Sequence, residues 1–218
     1  MIDRIPRRLR VHFRHDEPAP AVTMTMVPEA PTVTMTMVPE TPDVVGFVAY
    51  GADCVLSGRT VLDGDRLSDM LNDHDEYALI GVTVERFDGG PALVVDEVVV
   101  SRDEIWMVHA GPPRGAIGRR TRTAPQHVAI QMGPYQVRGF IHGLPGSDPV
   151  AGIGRRRPMI PLTNARIAYT MLGEEREVRA ETVVVNRDQI EWLAAVEPDH
   201  AGFPPEPSPA AALATDHP

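Results

Sequence analysis

Three acids and a histidine fall within five residues at Asn72-Asp73-His74-Asp75-Glu76. Carboxylates and imidazole bind divalent cations, so this run is the first candidate for a metal site. Successive residues in a turn point in different directions, however, and the glycine-spaced loop of calcium sites is missing. The run reads as a solvated acidic turn, and no metal is assigned. The histidines are His12, His15, His74, His109, His127, His142, His200 and His217. Within the expected folded segments no two have metal-ligand spacing, and none pairs with Cys54. Cys54 falls on an expected strand and reads as a small core residue rather than a nucleophile. No serine occupies a nucleophile elbow. Gly111-Pro-Pro-Arg-Gly-Ala-Ile-Gly118 lacks the Lys-Ser/Thr of a phosphate loop. No acid, base and nucleophile assemble, so the reading is a non-enzymatic chain without a cofactor.

The remaining candidates are arginines. Arg119, Arg120 and Arg122 form one cluster, and Arg155, Arg156 and Arg157 form another. Adjacent guanidinium groups make a strong local field and donate well to phosphate or carboxylate. Two readings stay open: the clusters converge on an anion, or they dock on an acidic part of the chain. Single-strand nucleic-acid binding would want interleaved aromatics for stacking, and only Tyr135 and Phe140 are near.

Charge distribution favours the second reading. Asp43 to Ala110 holds four arginines against fourteen acids, whereas Arg114 to Glu197 holds twelve arginines against eight acids. An acidic half beside a basic half favours contact between the two, within a chain or between chains, over nonspecific nucleic-acid binding. Every basic residue is arginine, which fits codon usage in a GC-rich genome as well as a demand for arginine's donor fork. One cysteine allows no intrachain disulfide. No apolar run of signal-peptide or membrane-span length occurs, which makes a cytoplasmic protein the expectation.

Two repeats organise the chain. Val22-Thr-Met-Thr-Met-Val27-Pro28-Glu29 recurs as Val33-Thr-Met-Thr-Met-Val38-Pro39-Glu40. Each unit alternates like a short strand, so it is either a motif that adds to a sheet edge or a duplicated, disordered linker. More widely, Val98-Val-Val-Ser-Arg-Asp-Glu-Ile105-Trp-Met-Val108 matches Val183-Val-Val-Asn-Arg-Asp-Gln-Ile190-Glu-Trp-Leu193. The pattern predicts two diverged copies of one unit, spanning 44–110 and 126–197. A linker covers 111–125, and mostly disordered segments cover 1–43 and 198–218. In the first copy the expected elements are a strand at 52–62, a short helical piece at 67–72, strands at 77–87 and 93–101, and a final strand at 105–108. Asp88-Gly-Gly-Pro91 and Leu172-Gly-Glu-Glu175 mark hairpins. Alternation predicts that Ile105 and Ile190 are buried, with Arg102, Asp103, Arg187 and Asp188 at polar turns.

Short five-stranded antiparallel sheets often close into barrels, which removes exposed edges. The expected fold class is therefore all-β with minor α, as two tandem small β-barrel-like domains. Val183–Leu193 resembles the second conserved segment of Sm-like proteins, within the wider group of Sm- and SH3-like barrels. Arg187-Asp188 stands where many Sm-like proteins have Arg-Gly, and the resemblance spans about eleven residues in each copy. Arg66-Leu-Ser-Asp-Met-Leu-Asn72 resembles a motif of an uncharacterised family of small bacterial β-rich domains. The second copy resembles that family through Ile160-Pro-Leu-Thr-Asn164 and Val185-Asn-Arg187. These resemblances imply a small β fold and a bacterial source, and they bring no activity. The functional expectation is a non-catalytic interaction or assembly module that contacts a protein partner or itself, with no membrane. The alternative is Sm-like nucleic-acid or nucleotide binding through the arginines of the second copy.

Overall fold

A computed structural model describes residues 43–64, 66–110 and 122–197. The Val-Thr-Met units, most of the linker with Arg119 and Arg120, and the C-terminal tail lie outside them.

Ten strands form one antiparallel sheet. The first five are β1 (Asp43–Tyr50), β2 (Cys54–Leu62), β3 (Glu76–Arg86), β4 (Leu93–Ser101) and β5 (Met107–Ala110). The second five are β6 (Ala124–Met132), β7 (Tyr135–Gly143), β8 (Met159–Met171), β9 (Glu174–Asn186) and β10 (Trp192–Ala195). Their order across the sheet is β10-β6-β7-β8-β9-β5-β1-β2-β3-β4. Each five-strand group is a meander whose last strand returns to its first. Helix α1 (Leu67–Asp73) bridges β2 and β3, and buries Leu67, Met70 and Leu71 on one face. A 3-10 turn at Ile153–Arg155 takes its place in the second group.

Registers in the two groups correspond residue by residue. Tyr50 faces Val55 as Gln131 faces Gln136, and Cys54 faces Arg86 as Tyr135 faces Tyr169. A register shift falls between Ser57 and Arg59 in β2, and between Arg138 and Phe140 in β7. In both cases the partner strand carries an extra residue with positive φ, Gly81 at 61° and Asn164 at 48°. Glycine faces each shift, because an added Cβ would lie 3.2 Å from the Ile80 carbonyl at Gly58 and 3.2 Å from the Thr163 carbonyl at Gly139. An extra residue in one strand bends it and sharpens its twist.

The expectation of two separate small barrels is corrected here. The sheet runs open from β10 to β4, and the two meanders share it. β5 and β9 join them, with Met107 opposite Val185, Val108 opposite Val184, His109 opposite Val183 and Ala110 opposite Thr182. Successive strand residues point to opposite faces, so the joining strands feed two cores. Val108 and Val184 enter a core with Phe47, Leu56, Leu71, Leu79 and Ile105. Met107, Val183 and Val185 enter the other, with Val128, Ile130, Tyr135 and Ile167. β5 pairs with β1 of its own meander on one side and with β9 on the other, so neither of its edges is free to pair with β4 and close a barrel. The strand at 54–62 and the elements at 67–73, 76–86 and 93–101 lie close to their expected positions, with β1 as an additional leading strand. Asp43 already belongs to β1 and Ala124 to β6, so both folded segments begin slightly earlier than expected.

Candidate interaction surface at the sheet edges

Polar side chains tie the two groups together at the joining strands. The Asn72 amide, in the Arg-Leu-Ser-Asp-Met-Leu-Asn segment, donates to the Met159 carbonyl at 2.8 Å and to Ser68 at 2.7 Å. Its oxygen accepts from the Met159 N–H at 3.0 Å. Asn72 thereby supplies β8 with a main-chain-like pair from outside the sheet. Asn186, fully buried, donates to the carbonyls of Arg102 and Ile105 and accepts from the Asp188 N–H. Tyr135 donates its hydroxyl to the Gly51 carbonyl at 2.7 Å. Around it Tyr50, Phe87 and Trp106 of the first group pack on Tyr135 and Tyr169 of the second. Burial raises the Tyr50 hydroxyl to about 12, with a smaller contribution from Tyr169, and burial raises Tyr135 as well. Both phenols stay neutral near pH 7. Neither Asn72 nor Asn186 was singled out from the sequence for this role, since their partners lie far along the chain.

The three arginines of the 155–157 run have different surroundings. Arg157 pairs with Asp73 of the first group at 2.8 Å. Arg156 donates to the His142 carbonyl at 2.7 Å, and burial lowers its pKa. Arg155 and Arg122 are exposed. Arg187 donates to the carbonyls of Gly154 and Arg156. The acidic turn is likewise engaged: Asp75 pairs with Arg102 at 2.6 Å and His74 lies 3.4 Å from Asp63. Among the described residues no group of three or more His, Cys, Asp or Glu could hold a metal ion. Cys54 is buried, and burial, followed by the neighbouring Asp53 carboxylate, pushes its thiol up to about 12. The thiolate that a nucleophile needs is therefore scarce at neutral pH.

Among the described residues the sheet ends at β4 on one side and at β10 on the other. β4 has β3 on one side and β10 has β6 on one side, and no described strand lies beyond either. Both carry apolar side chains in solvent: Val94 is 71% exposed, Leu93 53% and Trp192 50%. No family model, curated protein or solved structure matches the chain. Beside β10 an open groove is lined by Val150, Ile153, Ile190, Trp192 and Leu193, together with Arg187 and Glu191. The groove explains one departure from expectation. Ile105 is buried at 1% exposure beneath the joining strands, whereas its counterpart Ile190 is only half-buried, with no further described strand on its side of the sheet. The turns at Arg102–Glu104 and Arg187–Gln189 are polar, as their sequence requires. No helix among the described residues is long and apolar enough to cross a membrane.

Proposed function

We propose that the chain is a non-catalytic assembly module, made of two diverged copies of a five-stranded unit, which offers sheet edges to partner strands. The observation that carries this reading is the apolar exposure of β4 and β10. An open edge with large apolar side chains is what natural sheets avoid unless something covers it. The corresponding registers, the paired bulges and their facing glycines support the two-copy reading. Adding a strand to such an edge yields affinity from main-chain hydrogen bonds and selectivity from alternate side chains. The arginine run lends no comparable support to an anion site, since Arg156 and Arg157 are already engaged within the chain.

Photo-crosslinking in cells tests the reading. A benzophenone amino acid at Val94 or Trp192 should capture a polypeptide, and the same group at Glu174, on the exposed β8–β9 hairpin, should not. Equal, background-level capture at all three positions would overturn it.

A further inference from the structure

We infer that the partner at these edges is a second copy of the same chain, joined head to tail by repeating the internal β5–β9 junction between molecules. This rests on the assembly reading and names its occupant. β10 stands in the second meander where β5 stands in the first: Leu193 pairs with Ile130 as Val108 pairs with Ala49. β4 stands where β9 stands: Val100 faces Tyr77 as Val185 faces Ile160. One molecule's free β10 is thus the counterpart of β5, and another's free β4 is the counterpart of β9. Carrying the internal register across gives Trp192 opposite Val100, Leu193 opposite Val99, Ala194 opposite Val98 and Ala195 opposite Glu97.

Burial follows the same logic. At the internal junction Met107, Val108, Val183, Val184 and Val185 are all fully buried. At the outer edges the counterparts Val98 and Val100 are already buried in their own core, whereas Trp192 is exposed and Leu193 and Val99 are half-buried. The groove beside Ile190 and Leu193 lies where Val99 of an incoming β4 would enter, as Val184 enters beside Ile105 and Val108 within the chain. Charge points the same way. A head-to-tail contact sets the arginine-rich half of one molecule against the acid-rich half of the next, as Arg157 meets Asp73 inside the chain. A β4-to-β4 contact would set two acidic halves together. An interface of this kind is heterologous, and leaves one edge of each kind free at the ends of an assembly until a ring closes.

Light scattering coupled to size exclusion on the purified full chain tests the inference. The parent mass should rise with concentration above one chain. Val99→Lys blocks β4 and Leu193→Lys blocks β10, because each would bury an unpaired charge in the junction. Each variant alone should run as a single chain, with a circular-dichroism spectrum like the parent's. An equimolar mixture should reach twice the single-chain mass and stop there, because both remaining edges are blocked. A Leu193→Lys variant that still dimerises alone would mean an isologous β4 contact and overturn the inference. A parent that stays a single chain at every concentration would also overturn it, while crosslinks from Val94 to a different polypeptide would leave the assembly reading standing. Should either lysine variant unfold, the register is read directly. A chain with Glu97→Cys and Ala195→Cys should give a reducible ladder longer than a dimer, since directly opposed strand residues lie within disulfide reach. Absence of that ladder under oxidising conditions would overturn the register.

Discussion

Replacing Asn72 with alanine should destabilise the whole chain, because this residue at the end of α1 bonds across to the other half. Its side chain makes three hydrogen bonds, two of them to the main chain of Met159, which is 1% exposed. Truncation leaves the Met159 N–H and carbonyl without these partners. Each buried, unsatisfied group costs about 1–3 kcal/mol, so the pair costs roughly 2–4 kcal/mol once partial water entry at the half-buried end of α1 is allowed. For an ordered region of this size that corresponds to a fall in Tm of roughly 4–16 °C. Thermal melts and urea titrations on the full chain measure it, with an unchanged urea m-value marking loss of stability rather than loss of structure. Asn72→Asp refines the argument. It keeps an acceptor for the Met159 N–H but sets a carboxylate against the carbonyls of Ser68 and Met159. It should therefore be at least as harmful as alanine at neutral pH and recover in part in acid, where a protonated carboxyl can donate. An Asn72→Ala chain that melts within a degree of the parent would refute the claim that this side chain fastens α1 to β8.

Gly133→Ala should cost about 2–4 kcal/mol, from the left-handed backbone and from overpacking: Gly133 has a φ of 53°, and an added Cβ would run into the Trp106 ring. A urea midpoint shift below a few tenths of a molar would contradict this. Ile105→Ala should lose about 2–5 kcal/mol as a fully buried residue, and Ile190→Ala clearly less in dilute solution, because only Ile105 lies under the joined strands; equal losses by denaturant titration would show the groove to be closed. Burial lowers the pKa of His109 below its ordinary 6.5, so the unfolded chain binds the proton more readily than the folded one. Stability is then full above 6.5 and falls as the pH drops below it, and His109→Gln should flatten that part of the pH–stability curve; an unaltered slope would count against the assignment.

The repeated strand–turn–strand at Val98–Val108 and Val183–Leu193 was legible because alternation and a polar Arg-Asp turn are local signals. β1 was not. Asp43-Val-Val-Gly-Phe-Val-Ala-Tyr50 follows a proline-rich stretch, and Gly46 interrupts its apolar run, so neither a clean period of two nor a turn signal sets it off. Sheet closure escapes the sequence for a different reason. Val98-Val-Val100 and Val183-Val-Val185 look alike in sequence, yet one is an edge and the other is buried on both faces. What separates them is the strand that arrives beside β9 from the other half, and such a contact has no local signature. Asn72 and Ile190 follow from the same fact. The role of Asn72 is set by Met159, and the exposure of Ile190 by the lack of a neighbour among the described residues.

The β5–β9 pairing also imposes an order of events on synthesis. β1 to β5 leave the ribosome as a complete meander, but the far side of β5 stays open until Thr182–Val185 have been made, more than seventy residues later. At translation speeds of about 5–20 residues per second that interval is roughly 4–14 s. Throughout it the nascent first half exposes two unpaired edges, and Val108 lacks Val184 to cover it. Over that interval its surplus of acidic side chains makes two such halves repel one another while their edges wait for β9.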